Sequence, residues 1–477
     1  MSVDPGGEAA VLPRDQPPRL NRWVTGVALG LLGVLAGLLF WPAHGLDTLE
    51  WPEWSLARMV GREMDLRAVL PNSPAGERFL FSLALSTDAE ARADAIAWYE
   101  ELVRETGSPL AELHRIVLLA EDGRMDAARA AIAAWTPADD EAGRLAAWAR
   151  LAYGAETPPP GELRAAIDGV RHGPPGGWFA DRLLVRLASR LGDPAVAAES
   201  ERRILARGSR LLWRLRVILA VEALLVLLAG ASLAALARAP GWRAARAGTA
   251  AIPPHWTHAD GVGLFARGAV GLVGVAVLWP LVPDNAWGSL TIAVLSAVPL
   301  IAYLVWYCGR SGSSLAETFG LSVSRGGLPG LAFVTLALVG VSTVGDLLLE
   351  FAGAQLGLEA HWTDGFQERL LWGPPAQVAV DVLDSCAFAA VLEELLFRGV
   401  LYGTLRLRFG PWPATAVSAG LFALAHGYGV IGFASVLMSG VLWAVAYERT
   451  RSLLPGILAH AANNVQATAV FLATLRF

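Results

Sequence analysis

The chain of 477 residues contains no lysine, so its 38 basic residues are all arginine. Only 17% of the residues are charged, where a soluble globular chain carries about a quarter. Cysteine is scarce as well. Cys308 and Cys386 stand in separate apolar stretches, with neither a CxxC nor a zinc-ligand spacing, and read as two buried thiols. Long polar tracts are missing too; with 54% hydrophobic residues and a mean hydropathy of +0.45, this excludes a disordered chain, a coiled coil and a cytosolic enzyme. The net charge of -5 is too small on so long a chain to suggest a nucleic-acid partner. What remains is a protein of the membrane, and the all-arginine usage suits a GC-rich genome and a bacterial plasma membrane.

Residues 1–22 are rich in proline and carry Arg14, Arg19 and Arg22, after which Trp23 to Trp41 runs almost free of charge. That run is longer than a signal-peptide core and meets Pro42-Ala43-His44 in place of an A-x-A-like cleavage site. Residues 1–45 are therefore expected to form a cytoplasmic tail and an uncleaved first anchor. Residues 46–210 change to Arg, Asp, Glu and Ala, with apolar residues at helical spacing, as in Ile116-Val117-Leu118-Leu119-Ala120. Breaks at Gly107-Ser108-Pro109, Gly123, Pro137 and Pro158-Pro159-Pro160 divide the segment into helices of about 12 to 18 residues. This predicts a soluble domain of stacked helical hairpins, tetratricopeptide-like, of a kind that binds peptides or partner proteins more often than it catalyses.

Over residues 211–477 apolar runs hardly stop, at about 211–237, 263–282, 287–308, 328–350, 376–405, 412–427, 430–447 and 453–474. With the anchor they predict nine spans, the pair near 420 and 440 forming a tight or partly re-entrant hairpin. The expected fold class is all-α, a polytopic membrane helix bundle with an N-terminal soluble helical domain. Arginine occupies alternate loops: Arg238, Arg243 and Arg246, then Arg310 and Arg325, then Arg406 and Arg408, then Arg449 and Arg451. The intervening loops 283–286, 351–375 and 427–430 hold acids and a single Arg369. The positive-inside rule then places the N-terminus in the cytoplasm and residues 46–210 outside. Arg202, Arg203, Arg207, Arg210, Arg214 and Arg216 oppose this, because they precede the second span on the expected outer side.

An ionisable side chain inside a span is expensive unless paired or hydrated, so each one is a functional candidate. Most fall in the last hundred or so residues: Glu393-Glu394-Leu395-Leu396-Phe397-Arg398, Phe422-Ala423-Leu424-Ala425-His426 and His460-Ala461-Ala462-Asn463-Asn464. Counted from the arginine loops at about 1.5 Å per residue, Glu394, His426, His460 and Asn464 lie roughly 18, 21, 12 and 18 Å deep, close enough to share one level. Glu394 and Arg398 stand at i and i+4 in the acid-first order and can pair. Glu393 then points about 100° away and is left free to take a proton from water. Imidazole and amide donors on the later helices would suit the oxyanion of peptide hydrolysis. Asp381 and Asp384 read as acids placed by the helix dipole, and Asp346, Glu222 and Arg267 have no assigned role.

The three motifs EExxxR, FxxxH and HxxxN, in that order on successive membrane helices, resemble those of the CPBP family of intramembrane proteases, which includes CAAX prenyl endopeptidases and Abi-type proteins. The resemblance covers about residues 260–477, and Thr318-Phe319-Gly320-Leu321 after Trp306-Tyr307 is similar to the amphipathic loop such proteins carry ahead of the core. It implies peptide-bond hydrolysis of a membrane-associated, prenylated or leader-type substrate, with Glu393 activating water, His426 assisting, and His460 with Asn464 binding the oxyanion. Such proteins have been described both as metalloproteases and as glutamate-type proteases. Glu393, His426 and His460 are the set that zinc could take, but no HExxH occurs, and no cofactor is expected. Rhomboid-type GxSG and presenilin-type GxGD each fail by one residue, at Leu437-Met438-Ser439-Gly440 and Thr343-Val344-Gly345-Asp346. A catalytically silent scaffold or immunity-type binding protein of the same fold is the alternative. A transporter using buried acids as a proton relay is a third class, and no inverted repeat supports it.

Overall fold

The computed structural model describes residues 19–39, 45–238, 248–278, 281–323, 327–358 and 361–477, and every regular element among them is helical. Arg14, Trp41, Pro42-Ala43-His44, Arg243, Arg246 and Arg325 lie outside the described residues. The chain forms the helical membrane bundle that its composition predicts. Four described helices are long and apolar enough to cross a membrane: Pro194–Arg238, Ala286–Arg310, Leu328–Leu356 and Val430–Thr450.

After the first helix, Arg22–Leu39, a run of shorter amphipathic helices extends from Pro52–Val69 to Gly177–Leu191, and their ends follow the local punctuation. Thr87 caps Asp88–Thr106 by accepting from Glu90 N, while the Glu90 carboxylate accepts from Thr87 N at 2.8 Å, a reciprocal capping box. That helix stops because Gly107 takes a left-handed conformation at φ 64°, and the next, Pro109–Glu121, starts because Ser108 caps it and Pro109 needs no N–H partner in the first turn. The apolar faces meet in one core in which Leu56, Val60, Tyr99, Leu113, Ile116 and Phe179 are fully buried. Trp362 and Phe366, from a loop far downstream, pack into the same core.

The sequence places a boundary at Arg210, yet the chain passes it inside a single helix, Pro194–Arg238, of 45 residues. No proline interrupts it, and Gly208 serves close packing, because a Cβ there would overlap the backbone carbonyl of Asp65 on Pro52–Val69. Three of the six arginines that oppose the topology rule, Arg203, Arg207 and Arg216, are paired locally. Arg207 binds Asp65 at 2.7 Å and Asp181 at 2.6 Å, Arg203 binds Asp181 and Glu199, and Arg216 binds Glu77 at 2.6 Å. Paired charges of this kind contribute little net positive charge to a loop.

The loops sort to two ends of the bundle. At one end Arg451 Nη1 donates to Ile252 O, Ser452 Oγ donates to Gly320 O, and Arg406 pairs with Glu448. The Thr318–Leu321 segment docks there, with Phe319 buried and its carbonyl accepting from Leu453 N. At the other end Asp284 accepts from Gln377, His361 contacts Glu101 at 3.0 Å, and Glu368 accepts from Glu50 N, Trp51 N and Ser55 Oγ. The short helical domain and the loop 361–373 therefore share one end, opposite the loops of Arg406 and Arg451.

Candidate active site

Residues 375–405 form one unbroken helix in which α segments, Pro375–Leu383 and Ala389–Glu393, alternate with π segments, Asp384–Phe388 and Glu394–Tyr402. π turns recur at functional sites because the i→i+5 pattern changes where side chains point and frees backbone groups. Here it lowers the angle between successive side chains below the α-helical step, and Glu393 and Glu394 both face the same imidazole. His460 Nε2 is 3.7 Å from Glu393 Oε2, and His460 Nδ1 is 3.4 Å from Glu394 Oε1. Glu393 thus lies outside the Glu394–Arg398 pair, and the two carboxylates share His460.

Glu394 and Arg398 are paired at 2.8 Å, and both side chains are 0% exposed. The guanidinium is also covered by rings, with its carbon 4.0 Å from the Phe422 centroid and 5.1 Å from that of Trp443. Aromatic faces carry negative charge density, so the cation is stabilised without water. Glycines make this burial possible: a Cβ at Gly440 would sit 2.9 Å from Arg398 Nη2, and one at Gly456 would sit 3.1 Å from Glu394 Oε2. Glu393 differs. Its side chain is 28% exposed and it holds no hydrogen bond, whereas Glu394 is fully buried and accepts from Arg398; an Oε2 without a partner is common to both.

The second histidine does not sit within a span. The helix Pro411–Leu424 has 14 residues and ends before His426, which lies in the following turn. Its Nδ1 donates to the Phe422 carbonyl at 2.8 Å, which leaves Nε2 as the acceptor nitrogen 3.9 Å from Glu393 Oε2. Phe422 stands edge-on to both imidazoles, with centroids 4.7 Å from His426 and 5.8 Å from His460. His460 is further fixed by Trp443, stacked on it at 4.3 Å and 18°. Glu393 is thus the meeting point of two imidazoles on different elements.

Asn464 is one turn from His460, and its Nδ2 donates to Ser385 O at 2.7 Å, a carbonyl within the first π segment. One amide N–H is therefore committed to the motif helix, and the other remains for any oxyanion. Asp381 is held by Arg369 at 3.2 Å, whereas Asp346 accepts from Ser435 at 2.6 Å and Arg267 donates to Tyr303 and to Asn21 O. Cys308 and Cys386 are buried free thiols.

Residues 375–466 match the family model described as Type II CAAX prenyl endopeptidase Rce1-like. All three motifs fall inside that match. No curated protein and no solved structure matches the chain. That family is one of proteases.

Within the Rce1-like region the zinc alternative can be tested on geometry. Ligands at about 2.0–2.1 Å around a tetrahedral zinc stand about 3.3 Å apart. The Glu393 contacts to His460 and His426, at 3.7 and 3.9 Å, are wider, and among the described residues no three His, Cys, Asp or Glu side chains gather as metal ligands. As placed, Glu393, His426 and His460 stand a few tenths of an ångström wider than the edges of a zinc tetrahedron.

Two features of the Rce1-like site escaped the sequence. Trp443 lies on Val430–Thr450, a helix from which no site residue was expected, and stacking on a histidine leaves no spacing signature. The other is the loop 361–373. Tyr428, 5.5 Å from His426 by ring centroids, is the side chain that a Cβ at Gly365 would meet at 3.7 Å, and Trp362 of the same loop is buried in the short helical domain. The helical domain is thereby joined to the turn that carries His426.

Proposed function

We propose that the cluster hydrolyses a peptide bond of a membrane-associated substrate, of the prenylated or leader-peptide type, by water activated at Glu393. The observation that carries this is the separation of roles between two adjacent carboxylates. Glu394 is spent on Arg398, while Glu393 is unpaired, partly exposed and flanked by His426 and His460. Around it three acceptors converge: a carboxylate oxygen, the Nε2 of His426, and the Nε2 of His460 whenever its Nδ1–H faces Glu394. Such a set suits a small species with protons to give, and water is that species. As water attacks the carbonyl, Glu393 takes its proton. That proton passes from Glu393 to the Nε2 of a flanking histidine, which then donates to the oxyanion and hands the proton to the leaving nitrogen as the C–N bond breaks. Asn464 holds the π turn of the motif helix and keeps its second N–H for the oxyanion.

The matching family supports the substrate class, and the apolar helices support attack at or within the bilayer. The topology that accompanies this reading puts the N-terminus in the cytoplasm and the helical domain outside, where it can receive a partner protein. Purified full-length chain in vesicles, offered prenylated and leader-type peptides with and without a strong chelator, tests it. Cleavage that survives chelation is expected; absence of cleavage of every such peptide, or its loss on chelation with recovery by added zinc, contradicts it.

A further inference from the structure

The long helix Pro194–Arg238 presents Ser209, Arg210, Trp213 and Arg214 around an open groove of about 390 Å³. These four residues occupy i, i+1, i+4 and i+5 positions, so they form one continuous face. They also mark a level in the molecule: directly C-terminal to them begins the apolar stretch of the longest membrane-capable helix, and Trp213 is 63% exposed. A tryptophan with an exposed ring at the end of a span is the usual occupant of the headgroup region.

Charge at this level is unbalanced. The nearby carboxylates Asp65 and Asp181 are already taken by Arg203 and Arg207. Arg58, on Pro52–Val69, stacks over Trp372 at 5.3 Å. Arg62, one turn further on, has a buried Nε without a hydrogen-bond partner. Arg214 donates only to a backbone carbonyl, that of Ala473, at 3.3 Å. Burial first, then the charge of Arg58, with smaller contributions from Arg214 and Arg207 and against the pull of Asp65, brings the Arg62 guanidinium down to about 10.

We infer that Arg62, Arg210 and Arg214, with Trp213, form a binding site for the phosphate of an anionic phospholipid, whose acyl chains lie along the apolar stretch below. Guanidinium groups bind phosphate through paired N–H donors, and each basic residue near an anionic surface adds to retention. The site is independent of the hydrolytic cluster and of the activity proposed for it.

The test is native mass spectrometry of the full-length chain released from detergent after exposure to phosphatidylglycerol or phosphatidylcholine. The parent is expected to retain phosphatidylglycerol in clear preference. The double variant Arg62→Gln/Arg214→Gln should lose about tenfold or more of that retention, by the usual weight of a basic residue at an anionic surface. Arg216→Gln, at the same level but paired with Glu77, should keep it. Excess inorganic phosphate should not displace the lipid. Equal retention of the two lipids by the parent overturns the inference without any variant. So does equal retention by parent and double variant, a loss as large in Arg216→Gln, or displacement by inorganic phosphate, which would mark a site for the free anion. If the double variant does not fold, the singles Arg62→Gln and Arg214→Gln carry the same comparison.

Discussion

Replacing Arg398 by methionine removes the cation paired with Glu394 while keeping apolar bulk between Phe422 and Trp443. Both members of the pair are 0% exposed, so the carboxylate left behind is out of reach of solvent and keeps only the His460 ring at 3.4 Å. Deleting one partner of a buried pair costs about 3–5 kcal/mol. Loss of a cation lying 4.0 and 5.1 Å from two ring centroids adds about 0.5–2 kcal/mol. The total, about 3.5–7 kcal/mol, lowers the melting temperature of a cooperative unit of about 220 residues by roughly 8–15 °C. Thermal unfolding in detergent reads this directly. Adding Glu394→Gln to Arg398→Met removes the stranded charge and should recover about half of the loss. A single variant that melts within about 2 °C of the parent would refute the claim that this pair is structural and buried.

Gly440→Ala brings a Cβ to 2.9 Å from Arg398 Nη2 and 3.0 Å from the Ala419 side chain, and should cost about 1–3 kcal/mol, whereas Gly420→Ala, with nothing within 4 Å, should stabilise its helix by about 0.5–1 kcal/mol; equal melting of the two contradicts the packing described. Asn464→Ala strands Ser385 O in the π turn and should lower stability by about 1–3 kcal/mol, so unchanged melting would return Asn464 to a purely chemical role. In the helical domain, burial holds the His114 imidazole down at about 3, against about 6.5 in an unfolded chain. A lowered histidine leaves the unfolded state with more protons, so stability is lost as pH falls from about 6.5 toward 3, by up to about 1.4 kcal/mol per pH unit. His114→Phe, which keeps a ring against Phe179 at the cost of the Tyr99 contact, should therefore lose less melting temperature than the parent between pH 7.5 and 5. An equal loss in both would contradict this assignment.

Much of this architecture is legible in the sequence because the signals are local. Capping at Thr87 and Ser108 and the stop at Gly107 follow from residue type alone, as does the long apolar character of Leu328–Leu356. The Glu394–Arg398 pair is legible for the same reason, since i and i+4 remain neighbours even where the turn widens. What failed depended on the helix departing from its ideal. The π segments bring Glu394 as well as Glu393 to His460, and the helix Pro411–Leu424 ends early enough to put His426 in a turn. Contacts between elements distant in sequence were out of reach as well: Arg207 meeting Asp65, Asn464 meeting Ser385, and Trp362 entering a core built from residues before 205. Arginine counting treats every charge before the second span as free, whereas Arg203, Arg207 and Arg216 are ion-paired.

The central claim is that Glu393, and not its neighbour, takes the proton from water. The direct measurement is the rate of peptide cleavage by full-length Glu393→Gln in vesicles, with melting followed on the same sample. Glutamine is nearly isosteric and Glu393 holds no hydrogen bond, so melting should stay close to that of the parent, while the rate should fall roughly a hundred- to ten-thousandfold. Cleavage at the parental rate by a folded Glu393→Gln chain would contradict the account.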